Sequence, residues 1–150
     1  MPLPAPLGSA ATRAGRPGNL GRLDEGKGQV TDRVARILIV DDEPDIRFIM
    51  RLILEGAGYK VTEARHGAKG LKAVRASRPD LVTTDLMMPT MDGLEFIERL
   101  RSDPKTATIP ILVVSGNSEL GTAANARLPK PFTRRELLHA AALLIREDGG

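Results

Sequence analysis

The sequence predicts an α/β fold in which a parallel sheet is covered by helices on both faces. Two observations carry that expectation. Short strand-like runs alternate with stretches whose apolar residues recur at helical spacing. Two of the runs, Ile37-Leu38-Ile39-Val40 and Ile109 to Val114, are almost unbroken in their apolar character, as expected of strands buried on both sides.

The first strand, from Ile37 to Val40, runs into Asp41-Asp42-Glu43-Pro44, where Pro44 suits a first helical turn. Ile46, Ile49, Met50, Ile53 and Leu54 then fall at i, i+3, i+4, i+7 and i+8, which is one helical face. Gly58 is a natural stop for that helix. Tyr59 to Ala64 forms a second strand, and Ala68, Leu71 and Val74 give a weaker second helix. Pro79 leads into the third strand, Asp80-Leu81-Val82-Thr83-Thr84-Asp85, which ends on an acid. Leu94, Ile97 and Leu100 define a third helix, and Ile109 to Val114 a fourth strand ending at Ser115. Leu137, Leu138, Ala141, Leu144 and Ile145 mark a C-terminal helix.

Composition narrows the possibilities further. The 150 residues are 41% hydrophobic, enough apolar material for one core. With 0 Cys, disulfides, cysteine zinc sites and thiol chemistry are excluded, and a reducing cytoplasm is the expected setting. Aromatics are 3% with no Trp, which argues against a base-stacking platform. The net charge is +3, but residues 1–34 hold five Lys/Arg against three acids, so the remainder is nearly neutral and presents no basic stripe. Neither nucleic acid nor membrane is an expected partner. Residues 1–34 contain six Gly and four Pro without apolar periodicity and read as a flexible leader; the folded domain is expected over 35–150.

In open α/β sheets the site lies beyond the carboxyl ends of the strands. There the sequence places Asp41 and Asp42 after the first strand, Asp85 after the third and Ser115 after the fourth, with Lys130-Pro131-Phe132 before the last helix. Three carboxylates on one rim repel, and a hard divalent cation relieves that repulsion. The constellation reads as an acidic Mg²⁺ pocket with a lysine and a hydroxyl at its edge. A carboxylate there can act as a nucleophile towards phosphorus, with the metal and Lys130 neutralising phosphoryl oxygens.

Together these residues resemble the receiver domain of two-component response regulators, over about residues 35–147. The resemblance is carried by Ile37 to Glu43, Asp80 to Pro89, Met91-Asp92-Gly93, Val113 to Gly116 and Lys130-Pro131-Phe132. It implies a flavodoxin-like, doubly wound, five-stranded sheet. It further implies that Asp85 accepts phosphate from a phosphohistidine on a histidine kinase or histidine phosphotransfer protein. Asp42, Asp85 and the backbone carbonyl of Met87 would hold Mg²⁺, and Asp41 would contribute through water. Lys130, before a cis Pro131, would pair with the phosphoryl group, and Ser115 would be the switch hydroxyl.

Plainer readings exist for each position. Asp41 and Asp42 could cap the helix that begins near Pro44. Asp85 and Ser115 could be turn residues and Lys130 a solvated lysine. Met87 and Met88 suit a flexible rim better than a soft-metal site, since the chain has no thiolate to accompany them. His66 and His139 lack any ligand or triad partner and carry no site role, and Arg134-Arg135 reads as a solvated face.

The chain also departs from the receiver pattern. Only 14 residues separate Ser115 from Lys130, so the fourth helix is expected to be shortened or missing and the fifth strand, near Ala126-Arg127-Leu128, to be short. Arg127 stands where the family usually has an aromatic switch residue. Partner docking is therefore expected on the first helix, through Phe48 and Leu52 at i, i+4. Only four residues follow the last helix, which leads to the expectation of a stand-alone receiver, monomeric or weakly dimeric. A phosphorylation-independent interaction module is the competing reading. An aspartate-nucleophile phosphatase ranks last, because such enzymes commonly carry a second Asp where this chain has Met87.

Overall fold

The computed structural model describes residues 33–116 and 123–149. Five parallel strands form one sheet: β1 (Arg36–Val40), β2 (Lys60–Ala64), β3 (Leu81–Thr84), β4 (Ile111–Ser115) and β5 (Ala126–Pro129). Their order is β2-β1-β3-β4-β5, the doubly wound flavodoxin-like arrangement expected from the sequence. Four helices are seen among the described residues: α1 (Pro44–Gly56), α2 (Gly67–Ala76), α3 (Gly93–Ser102) and α4 (Arg134–Gly149). The expected shortening of the fourth crossover helix falls largely on residues 117–122, and the leader on 1–32; both lie outside the described residues.

Strand side chains alternate between faces, so the apolar runs supply two cores. Leu38, Val40, Val82, Ile111 and Val113 pack with Phe96, Ile97 and Leu100 of α3 and Leu71 and Val74 of α2. Ile37, Ile39, Leu81, Leu112 and Val114 pack with Met50 and Leu54 of α1 and Leu137, Ala141 and Leu144 of α4. The register Val40↔Thr84 and Val40↔Ala64 aligns the ends of β1, β2 and β3 on one rim.

Two helical stripes differ from the sequence pattern. In α3 the buried residues are Gly93, Phe96, Ile97 and Leu100, whereas Leu94 is 39% exposed. The stripe starts on Gly93, which a pattern of apolar side chains passes over. In α1 Ile49 is 46% exposed and joins Phe48 and Leu52 outside the core.

The helix starts are locally determined. Asp92 caps α3 by accepting from the Glu95 N–H at 2.9 Å, and His66 caps α2 by accepting from the Lys69 N–H at 3.3 Å. At α4, Thr133 and Glu136 form a reciprocal capping box, with bonds of 2.8 and 3.1 Å. This box was readable as Thr133-Arg134-Arg135-Glu136 and was missed.

Candidate functional site

Asp41 and Asp85 leave the sheet side by side because the ladder continues one step past the strands. The Asp41 N–H donates to the Ala64 carbonyl and the Asp85 N–H to the Val40 carbonyl, both at 3.1 Å. Asp42 follows on the solvent side. One carboxylate oxygen from each of Asp41, Asp42 and Asp85 lies within 4.8 Å of the others. Asp41 and Asp85 are buried and Asp42 is exposed, so the cluster has a closed floor and an open mouth.

Lys130 reaches this cluster from the end of β5. Its N–H donates to the Ser115 carbonyl at 3.2 Å, extending the β4–β5 ladder by one residue. Its Nζ donates to Asp41 Oδ2 at 2.9 Å and Asp85 Oδ2 at 3.1 Å, and lies 3.4 Å from Glu43 Oε1. The Lys130–Pro131 bond is cis, as the resemblance implied. Ser115 ends β4 as a fully buried residue on the same rim.

The electrostatics follow from burial and crowding. Burial pushes the Asp41 carboxyl above its ordinary pKa, against the Glu43 N–H and the Lys130 ammonium, which favour the charged form. Burial disfavours the Lys130 ammonium, but its hydrogen bonds to Asp41 and Asp85 outweigh this and hold its pKa above the usual lysine value. A cationic lysine among three acids is the arrangement that results.

Asp41 and Asp42 do not cap α1. The cap position is Glu43, without a side-chain cap bond, and Asp41 Oδ1 instead accepts from the Glu43 N–H at 2.9 Å. Asp85 Oδ1 accepts from the Leu86 N–H at 2.6 Å, leaving Oδ2 towards Lys130. Met87 follows with its side chain largely exposed, as a rim residue would be.

Three contributors were absent from the sequence reading as site residues. Glu43 is a further acid beside Lys130, signalled by its place at the end of the Ile37-to-Glu43 motif, next to the aspartate pair. Arg47 donates through Nη1 to the Asp41 carbonyl at 2.6 Å and through Nε to Glu63 at 2.8 Å, pinning the loop that carries Asp41 to α1 and β2. Gly93 packs directly on the Asp85 backbone: a Cβ there would lie 2.1 Å from the Asp85 carbonyl oxygen.

A parallel sheet with this strand order and this acidic, lysine-bearing rim defines the class of receiver domains. The chain matches the family described as response regulator receiver domain over residues 37–142, and it belongs to that family. Receivers are signalling domains rather than conventional enzymes. Among curated relatives, the chain is 40% identical over 121 residues to the DNA-binding dual master transcriptional regulator RpaA of Synechocystis sp., covering 75% of this chain and 50% of that protein. It is 35% identical over 120 residues to the phosphate regulon transcriptional regulatory protein PhoB of Pseudomonas aeruginosa, covering 75% of this chain and 52% of that protein. The chain thus spans about half the length of these relatives. Among solved structures, it resembles the chemotaxis response regulator CheY4 of Vibrio cholerae with a TM-score of 0.69 and 30% identity, covering 75% of this chain and 99% of that one. A CheY-like receiver domain protein from Methanospirillum hungatei gives a TM-score of 0.73 at 28% identity, covering 78% of this chain and 98% of that one. No described helix is long and apolar enough to cross a membrane.

Proposed function

We propose that this chain accepts a phosphoryl group on Asp85 from a phosphohistidine, in a Mg²⁺-dependent step, and that phosphorylation changes its contacts with a protein partner. The observation that supports this best is the convergence of the Asp41, Asp42 and Asp85 oxygens within 4.8 Å, with Lys130 Nζ 3.1 Å from Asp85.

The donor set fits the metal. Three carboxylate oxygens with one solvent-facing member suit a hard cation that keeps several waters, which is how Mg²⁺ binds. Asp41, Asp42, Asp85 and the Met87 carbonyl would hold it, Asp41 through water. When bound, the ion neutralises charge on phosphoryl oxygens.

The protein's own residues do the rest. Asp85 Oδ2 forms the new bond to phosphorus as the donor's phosphorus–nitrogen bond breaks; the electron pair returns to the imidazole, which takes up a proton. Lys130, released from its bond to Asp85, pairs with a phosphoryl oxygen. Ser115 supplies a hydroxyl to another, and the packing of Gly93 on the Asp85 backbone keeps the nucleophile from retreating.

The phosphohistidine would be carried by a histidine kinase or histidine phosphotransfer protein in the cytoplasm. Its docking surface is the exposed apolar face of α1, where Phe48 is 60% and Leu52 56% exposed beside Ile49. The helix that carries this face begins two residues after Asp42, which puts α1 beside the acidic rim. Residues 35–150 would form the receiver unit, with 1–34 a separate leader. Arg127 on β5 is exposed, so the aromatic switch usual at this position is lacking and contacts are made through a different face.

The test is exposure to acetyl phosphate and MgCl₂ followed by intact mass measurement. A gain of about 80 Da, absent without Mg²⁺ and absent in Asp85→Asn, is expected. An unmodified wild-type chain, or modification that survives Asp85→Asn, would overturn the reading.

A further inference from the structure

Lys130 can act only if β5 holds its register, and β5 is poorly equipped to do so by itself. It has four residues, lies at the sheet edge, includes Pro129 with no N–H to donate, and fully buries only Leu128. Register is set by burial where one face is apolar and is weakly set where it is not. A slip of one residue would carry Lys130 about 3.3 Å along the strand and turn its side chain to the other face.

What fixes the upstream end is a single guanidinium on α3. Arg101 donates through Nη1 to the carbonyls of Ala107 and Ile109, each at 2.8 Å. Its Nε donates to the Ala123 carbonyl at 3.1 Å and its Nη2 to Asn125 Oδ1 at 2.7 Å. Asn125 Oδ1 also accepts from the Ile111 N–H at 2.8 Å, and the Asn125 N–H donates to the Ile111 carbonyl at 2.9 Å. One side chain therefore ties the entry to β4 and the entry to β5 to the same point. All four of these acceptors are neutral, and burial draws the pKa of Arg101 below the ordinary arginine value. A guanidinium committed to four neutral oxygens is acting as a geometric brace; an ion pair would need a carboxylate.

We propose that Arg101, acting with Asn125, is a positioning residue that sets the β4–β5 register and thereby places Lys130 against Asp41 and Asp85. The proposal rests on the phosphoacceptor reading above. The metal-binding carboxylates hang from β1 and β3, which the brace does not touch. Loss of the brace should therefore slow phosphoryl transfer without weakening Mg²⁺ binding, since withdrawing the Lys130 ammonium from Asp41 and Asp85 leaves those carboxylates freer to hold a cation.

The experiment compares full-length wild type, Arg101→Met, Arg101→Lys, Asn125→Ala, Lys130→Ala and the Arg101→Met/Lys130→Ala pair. Rates are measured with acetyl phosphate and MgCl₂, and Mg²⁺ affinity by calorimetry. Arg101→Met should slow phosphorylation about ten- to a hundredfold, as misplacement by an ångström or more can do, with Mg²⁺ affinity not reduced. In the Lys130→Ala background it should add nothing, because the effect travels through Lys130. If Arg101→Met does not fold, Arg101→Lys and Asn125→Ala should give the same split between rate and affinity. Wild-type rates in those variants, a parallel fall in Mg²⁺ affinity, or a full Arg101→Met loss persisting without Lys130 would overturn the proposal. A wild type that takes no phosphate defeats the phosphoacceptor reading instead. Amide exchange at Leu128 and Lys130 then decides the brace: faster exchange in Arg101→Met or, if that variant does not fold, Asn125→Ala supports it, and unchanged exchange refutes it.

Discussion

Gly93 and Asp85 touch backbone to backbone: the Gly93 N–H donates to the Leu86 carbonyl at 2.9 Å, and a Cβ on Gly93 would stand 2.1 Å from the Asp85 carbonyl oxygen and 2.6 Å from the Leu86 Cα. The first residue of α3 thus sits under Asp85. Backbone atoms cannot swing aside as a flexible side chain can, so an added methyl must push either α3 or the Asp85 loop. Gly93→Ala is expected to cost about 1–3 kcal/mol in chemical denaturation, in the range of overpacked sites, and to slow acetyl phosphate turnover as well.

Asp41 supplies a pH-dependent test. Its folded-state pKa is raised, chiefly by burial, so the folded protein binds this proton more tightly than the unfolded chain does. The stability it contributes is therefore full at acidic pH, below the unfolded carboxyl value, and is lost as pH rises through the folded value. At neutral pH without Mg²⁺, Asp41→Asn should stabilise the fold by on the order of 1 kcal/mol, and the gain should shrink on acidification. Thermal melts across pH in a chelator check this.

Glu63 has the opposite sign. Burial works against its charge, but hydrogen bonds from Arg51 and Arg47 prevail and hold its pKa below the usual value. Its contribution is present above the unfolded pKa and fades as pH falls through the folded one. Glu63→Gln should cost up to about 1 kcal/mol at neutral pH and nothing in strong acid, as read from urea midpoints.

Phe48 tests the proposed docking of a phosphodonor on α1. Phe48→Asp should slow phosphotransfer from a phosphorylated histidine protein by about tenfold or more, as loss of an aromatic anchor does, and leave the acetyl phosphate rate unchanged. Equal rates with the protein donor would remove α1 from the interface.

Much of this molecule was legible because its three central strands, β1, β3 and β4, are buried on both faces. Continuous runs such as Ile37 to Val40 cannot be solvated strands, and each is followed by the polar residue that the rim needs. Asp41, Asp42, Asp85 and Ser115 could be placed on one edge from that pattern, and Lys130 from its place before the last helix and the receiver resemblance. Arg101 could not, since an arginine in a helix reads as a solvated cation until the carbonyls around it are seen. Gly93 stood in the Met91-Asp92-Gly93 motif, but its packing role was not readable: a residue without a side chain leaves no mark on an apolar period, although it begins the buried stripe of α3. Leu94 was assigned to the core in its place because leucine does leave one.

The two outer strands also bear on how the molecule behaves at high concentration. An open sheet margin is a template for another chain's backbone. Here one margin is β2, with Lys60 exposed and Glu63 held by two arginines, and the other is β5, with Arg127 exposed and an imino acid at Pro129. Charge at both borders and a missing donor at one discourage strand-to-strand stacking, so self-association through sheet extension is disfavoured and the helical faces are left as the places where companions can settle.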